Sequence, residues 1–350
     1  MKKLKLLVFF ALLALPLLSV FAQRNRELYI YTWEEMFPQE ILDGFTRATG
    51  IKVVLETFVY NEDMLMELEI KEGGYYDLVI ADDYIVDFVI SEDQLARKLD
   101  KKKLTNLKNI NPVFQHQFYD PSDEYTIPYG AGVQTIVYDP SKIRSEVTGY
   151  GDLLNSALQN NVGIIGNYRV INGMALKALG KSYNTENVAD INAAGQWLQR
   201  FAGNVKVVDD EHLQQDILNG NVGAAVVYTS MATAAKAGKP NLKMVFPKEG
   251  IGFGIMPAFI PVKAPNSNAA HAFLDYIMDP RRGAQCFEYL GYYCTFKASE
   301  QYISEANKES LILPGFRNFE MIENLSQEAE DAHVRIWKAF LAASKAEVRN

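Results

Sequence analysis

Between Glu27 and Ile80 the chain alternates strand, helix, strand, helix, strand, and that order constrains the fold more than any other feature. Leu28-Tyr-Ile-Tyr31 centres a first strand. Pro38 then opens a helix whose Ile41, Leu42 and Phe45 fall at helical spacing, and Gly50 closes it. Ile51 to Tyr60 is rich in β-branched and aromatic residues and reads as a second strand. Asn61 is expected to cap a second helix with Met64, Leu65 and Leu68 on one face, ended by Gly73-Gly74. Leu78-Val79-Ile80 is a short apolar run without a polar break, which suits a strand buried on both faces of a parallel sheet. Strands separated by helices in this way pair in parallel through right-handed crossovers, so the expected class is α/β.

The strand ends carry the chemistry. Trp33-Glu34-Glu35 follows the first strand, and Asp82-Asp83-Tyr84 follows the third. Ligands of open α/β sheets bind just beyond the carboxyl ends of the strands, and parallel strands open at one rim. Trp33, Glu34, Glu35, Asp82 and Tyr84 are therefore candidate contacts. The plainer alternatives are that Trp33 packs beneath the helix after Pro38 and that Asp82 or Asp83 merely caps the following helix.

At Thr126 to Gly132 the pattern breaks. Gly130 and Gly132 suit a crossing between two lobes. They are no dinucleotide fingerprint, because the third glycine is missing and a strand, Val133 to Tyr138, follows instead of a helix. A second α/β pattern then runs to Pro247. Its helices are expected at 151–158, 170–179, 188–201, 211–218 and 230–237, and its strands at 162–165, 205–208, 223–227 and 242–246. The strand Ala224 to Val227 ends at Tyr228, a further aromatic tip. The stretch 250–254 reads as loose and glycine-rich, and Phe259-Ile-Pro261 restores a strand that returns to the first lobe. Helix is expected over 266–289, and a last helix, Ser326 to Ala343, turns Ala332, Ile336, Trp337 and Phe340 inward. Two lobes joined by at least two crossings make a hinge.

The first residues are a secretory leader: Lys2, Lys3 and Lys5, then an apolar run from Leu6 to Val20, with cleavage expected after Ala22. No later run is apolar for long enough to span a bilayer. The chain is thus expected to be exported, and the family resemblance given below implies the periplasm as its location. The leader holds three of the 35 Lys and Arg and none of the 43 acids, so the exported chain is more acidic than the net −8 of the whole. Such a surface repels phosphate backbones, and nucleic acid is not an expected partner. An exported chain can oxidise cysteines, so Cys286 and Cys294 are expected to form a disulfide, with two buried thiols as the alternative.

Enzyme signatures are missing. The four histidines, His116, His212, His271 and His333, have no metal-ligand spacing. There is no Gly-x-Ser-x-Gly elbow and no phosphate loop, and no cofactor or metal is called for. Tyr292-Tyr293 raises iron, which some exported binders hold with adjacent tyrosines; the alternative is one packed ring and one ring at a cleft.

Several short stretches together resemble the periplasmic spermidine/putrescine-binding proteins of ABC importers: Leu28-Tyr-Ile-Tyr-Thr-Trp33-Glu-Glu, Thr49-Gly-Ile-Lys-Val53, Tyr76-Asp-Leu-Val79, Lys103-Leu-Thr-Asn-Leu107, Ile127-Pro-Tyr129, Pro247-Lys-Glu-Gly250 and Leu290-Gly-Tyr292. Their order covers nearly all of the exported chain. The resemblance implies a type II periplasmic binding fold, two α/β lobes around a hinged cleft, each lobe in two pieces: 23–131 with 258–305, and 132–257 with 306–350. It implies a small-molecule ligand held between the lobes, with rings along its methylenes and carboxylates at its ammonium ends, and an inner-membrane ABC permease as partner. On the matched positions Trp33 is a clamping tryptophan and Glu35 a nearby acid. Tyr84 and Tyr292 match cleft tyrosines, Tyr228 an aromatic, Asp82 a small polar contact and Gln327 a glutamine. Gln327 also reads as part of a capping pair with Asn324.

The chain departs from that pattern in its second lobe. Acids expected there fall near Asn167 and Val170, and an acid and a tryptophan expected after Gly250 fall near Met256 and Gly254. A desolvated ammonium needs an opposite charge. Either the anchors have moved to the first lobe or the ligand is not a long diamine. The leading expectation is a non-enzymatic receptor for a polyamine, with Glu34, Glu35 and Asp82 supplying charge and Asn167 and Gln327 hydrogen bonds. A zwitterionic or anionic solute met by Arg169, a secreted hydrolase, and a protein-binding sensor or adhesin are the other readings.

Overall fold

Local periodicity and tertiary structure agree closely over the first strands and helices. This computed structural model describes residues 26–92, 94–312 and 318–349; the leader and its cut after Ala22 lie outside them. β1 (Glu27–Thr32) pairs in parallel with β2 (Lys52–Thr57), Glu27 opposite Lys52, and on its other side with β3 (Leu78–Ile80). All three residues of β3 are buried, as a strand covered on both faces requires. α1 (Gln39–Thr49) follows Pro38, buries Ile41, Leu42 and Phe45, and ends at Gly50, whose φ of 72° a side chain would disfavour.

α2 (Asn61–Ile70) departs from expectation at its start. Tyr60, not Asn61, occupies the N-cap, and Asn61 turns its amide to Asp82. α3 (Asp83–Ser91) follows β3 directly. β4 (Thr126–Tyr138) runs unbroken through Gly130 and Gly132, where a break was expected, because both glycines adopt ordinary extended backbone.

The second pattern is an alternation of β5 (Val162–Ile164), α4 (Tyr168–Ala178), α5 (Val188–Phe201), β6 (Val205–Val208), α6 (Leu213–Leu218), β7 (Ala224–Tyr228), α7 (Thr229–Gly238) and β8 (Lys243–Val245). The helix expected over 151–158 is instead two short 3-10 turns. The expected loose stretch after Gly250 is the start of β9 (Ile251–Phe259). Its Gly252 leaves room for the Tyr183 ring, which a Cβ would meet at 2.6 Å. α8 (Ser267–Ile277), α9 (Pro280–Leu290), β10 (Tyr293–Cys294), β11 (Phe319–Met321) and α10 (Gln327–Ser344) complete the elements used below.

The chain divides into two compact units. The first runs to Tyr129 and takes back Met256–Tyr289 and Phe296–Ser299; the second comprises Gly130–Ile255, Leu290–Thr295 and Glu300–Asn350. The stretch 258–305, expected in the first lobe, is thus shared. β10 belongs to the second unit because Tyr293 and Cys294 pair with Ala131 and Gly130 of β4.

In the first unit β3 also pairs antiparallel with the end of β9, Val79 opposite Phe259. Phe37, Phe45, Tyr129, Phe273 and Phe287 build its aromatic core by edge and tilted contacts. In the second, β5 lies between β6 and β7 with all three parallel, and β7 pairs antiparallel with β4. α4, α5 and α10 cover this sheet, with Ile171, Leu198, Ile336 and Phe340 in one buried cluster.

The expected disulfide does not form: Cys286 and Cys294 are buried free thiols. Cys286 faces Tyr129 from α9, while Cys294 is fixed in the β10 ladder opposite Gly130. Each is committed to its own packing, and burial pushes the Cys286 thiol up to about 12. Among the described residues no helix is long and apolar enough to cross a membrane.

Candidate functional site

In the first unit, β3 delivers Asp82 to the N-cap position of α3, but its carboxylate makes no capping bond. It accepts instead from Asn61 Nδ2 at 2.9 Å, while Asn61 Oδ1 accepts from the Asp82 backbone N–H at 3.3 Å. The same Asn61 Nδ2 lies 3.3 Å from the Tyr84 hydroxyl, which donates to Glu62 Oε1 at 3.0 Å. Asp83 is buried and accepts from the Tyr84 N–H at 2.7 Å. The two neighbouring acids therefore divide the work, and Asp82 is the one turned to a polar network.

Burial raises the pKa of Asp82 to about 6; the Asn61 hydrogen bond opposes the shift and the Glu62 charge adds to it. Burial and Glu62 likewise raise the Tyr84 phenol, so its hydroxyl stays a donor at neutral pH.

At the end of β1, Trp33 is half-buried and meets Phe58 at a ring separation of 5.0 Å. It does not disappear beneath α1. Glu34 and Glu35 are both exposed, and Glu35 has a φ of 56°, a strained left-handed conformation for a side-chain residue. No hydrogen bond or ion pair joins Glu34 or Glu35 to Asp82 or Tyr84. Within this unit the structure joins Asp82 and Tyr84, and adds Asn61, which sequence reading had assigned to a helix start, and Glu62, which it had not singled out. Asn in the first turn is a common capping signal, so nothing local distinguished the two roles.

In the second unit, the Tyr228 and Tyr292 rings are both half-buried and converge on Gly132, where a Cβ would meet each at 3.8 Å. Asn167 is the N-cap of α4: its Oδ1 accepts from the N–H groups of Arg169 and Val170, and its Nδ2 donates to the Tyr228 hydroxyl at 3.2 Å. Tyr293 is fully buried, leaving only Tyr292 of the pair accessible. Gln327 is exposed at the start of α10 and donates to Asp331 at 2.8 Å; Ser326, rather than Asn324, is the capping residue there. Arg169 is taken by Glu330 at 3.3 Å and by the Glu323 carbonyl at 3.2 Å, so it is not a free receptor for a solute carboxylate. Among the described residues no group of three His, Cys, Asp or Glu is placed to hold a metal.

Trp33, Asp82 and Tyr228 thus bring rings and a carboxylate to the carboxyl ends of β1, β3 and β7. A family profile described as "Bacterial extracellular solute-binding protein" matches residues 40–311. The chain belongs to that family. Among curated relatives, it is 33% identical over 306 residues to the "Spermidine/putrescine-binding periplasmic protein" of Salmonella typhimurium, covering 85% of this chain and 86% of that one. To "Putrescine-binding periplasmic protein SpuD" of Pseudomonas aeruginosa it is 28% identical, over 81% and 82% of the two chains. A solved structure of the spermidine/putrescine ABC transporter substrate-binding protein PotD from Streptococcus pneumoniae superposes with a TM-score of 0.85 at 26% identity, covering 91% of this chain and 99% of that one. The architecture is therefore that of the extracellular solute-binding proteins, and these relatives are binding proteins of transporters rather than enzymes.

Proposed function

We propose that this chain is exported, cut after Ala22, captures a polyamine of the putrescine or spermidine class, and passes it to the membrane permease of an ABC importer. The observation that carries the reading is Asp82. Its carboxylate is partly desolvated, held by Asn61 and bordered by Tyr84 and Glu62, and it has no Lys or Arg partner among the described residues. A carboxylate kept in this state lacks the cation that would stabilise it, and an ammonium group supplies one. Trp33, Tyr228 and Tyr292 present half-buried rings suited to methylenes and to cation–π contact, each worth roughly 0.5–2 kcal/mol. Glu34 and Glu35 add negative charge near Trp33, and Asn167 holds the Tyr228 hydroxyl. A diamine carries two ammonium ends joined by an apolar chain, which is the chemistry these groups recognise. Curated and solved relatives named for spermidine and putrescine support the same ligand class.

The test is a thermal-shift screen of polyamines, zwitterionic amino acids and sugars on the mature protein. A ligand at 100 times its Kd adds about 2.7 kcal/mol of stability. Stabilisation by putrescine or spermidine is expected. Stabilisation by a zwitterion with none by any polyamine would overturn the assignment.

A further inference from the structure

β2 is an open edge. Among the described residues the sheet order ends β3-β1-β2, and no strand pairs with the outer side of β2. The Lys52 N–H donates to the Arg26 carbonyl at 2.8 Å and the Phe58 N–H to the Thr32 carbonyl at 3.1 Å, so the even-numbered residues turn their backbone groups to β1. By the alternation of a ladder, Val53, Leu55 and Thr57 turn theirs outward. Val53, Val54 and Leu55 are only half-buried. A row of outward N–H and C=O groups among apolar side chains is a template for another strand. Such edges are ordinarily blunted by charge, and the two charges of this edge, Lys52 and Glu56, are of opposite sign.

The edge is complementary to itself. Lys52-Val-Val-Leu-Glu56 inverts its charge about Val54. Laid antiparallel on a second copy with Val54 opposite Val54, Lys52 of each chain faces Glu56 of the other and Val53 faces Leu55. The backbone demands a register of the same parity. Val53 and Leu55 both have outward groups, so they exchange their hydrogen bonds, while Lys52 with Glu56 and Val54 with Val54 become the closer, non-hydrogen-bonded pairs. A one-residue slip sets outward groups against inward ones. A two-residue slip sets Glu56 against Val54 or Gly50 and leaves both charges unpaired.

Both charges are available for the contact. Lys52 is exposed and has no ion pair; Glu27, opposite it in β1, accepts from the Tyr29 hydroxyl at 3.1 Å instead. Glu56 accepts from the Tyr75 hydroxyl at 2.6 Å and borders Tyr76, and among the described residues no Lys or Arg pairs with it.

We propose that β2 is the interface of a symmetric dimer, paired antiparallel with β2 of a second copy of this chain in that register. The contact is isologous, as a two-fold axis requires, and it is small, so the dimer is a weak one. It stands apart from the ligand and from the polyamine reading.

Sedimentation equilibrium of the mature protein from about 1 to 300 µM spans the range of a weak interface, and association should appear within it. Lys52→Glu and Glu56→Lys should each weaken the dimer at least about fivefold. The combined variant exchanges the pairs and should return to within about twofold of wild type. Lys338→Glu, on the exposed side of α10, makes the same change in net charge and should have less than about a twofold effect. Val53→Pro removes an outward N–H and spares the β1 ladder, so it should abolish association. Should Val53→Pro or Glu56→Lys melt early, Lys52→Glu against Lys338→Glu decides, because both lysines are exposed. A wild type that stays monomeric overturns the proposal. So does a dimer indifferent to Lys52→Glu, one weakened equally by Lys338→Glu, or one that well-folded single variants weaken and the combined variant does not restore.

Discussion

Asp82→Asn should make the unliganded protein more stable and a worse receptor. The Asp82 carboxyl stands near 6 rather than its ordinary 3.8, first because it is buried. At 1.36 kcal/mol per pKa unit, a shift of about two units means that keeping the group ionised costs the folded state roughly 2–3 kcal/mol. Asparagine keeps the shape and an oxygen for Asn61 Nδ2, and removes the repulsion from Glu62. Unliganded Asp82→Asn should therefore gain about 2 kcal/mol at pH 7.5, while its Kd for putrescine rises at least tenfold.

The sign with pH follows from the raised folded-state pKa. Protonation favours the folded wild type, so this contribution is fully present below about 3.8 and is lost as pH rises through about 6. The stability gap between variant and wild type should be small at pH 4, open between pH 4 and 7, and stay level above. Urea unfolding of both proteins at pH 4.5, 6.0 and 7.5 measures it, and the difference between them cancels every other titrating group. For binding, the ionised fraction of a group with this pKa falls about tenfold from pH 7 to pH 5. Wild-type affinity for putrescine should weaken by a similar factor, and that of the variant should stay flat. A variant less stable than wild type at pH 7.5, a gap independent of pH, or an unchanged Kd would each refute the reasoning.

Three further perturbations test other parts of the molecule. Trp33→Ala should weaken putrescine by roughly 2- to 30-fold, the range of a cation–π contact, and Trp33→Phe should abolish most of a ligand-induced change in tryptophan emission, because the other two tryptophans, Trp197 and Trp337, pack into the second unit's core. Gly173→Ala should destabilise the protein by about 1–3 kcal/mol in urea unfolding, since the new Cβ would overlap the buried Tyr183 ring. Cys286 and Cys294 should resist an aromatic disulfide reagent in the native state and titrate as two thiols in denaturant, because both are buried and burial holds the Cys286 thiol protonated.

What the sequence revealed depended on how far apart the cooperating residues lie along the chain. β1, α1, β2 and β3 were readable because each is set by its own periodicity and its own proline or glycine stops. Asp82 and Tyr84 were readable because an apolar run that ends in acids and a phenol is itself a local signal. Asn61 was misplaced as a cap because its partner stands 21 residues on. The stretch after Gly250 was misjudged as loose because Gly252 serves Tyr183, a residue of a different segment.

Asp210 is the extreme case. Nothing in Val208-Asp-Asp-Glu211 distinguishes its second aspartate from an ordinary solvated acid, and its bond to the Gly166 N–H arises only when β6 is laid beside β5 in register. A parallel sheet collects its chemistry from strand ends that are dozens of residues apart. Register sets Asp210 against the Gly166 backbone, whose N–H donates to its carboxylate at 2.8 Å.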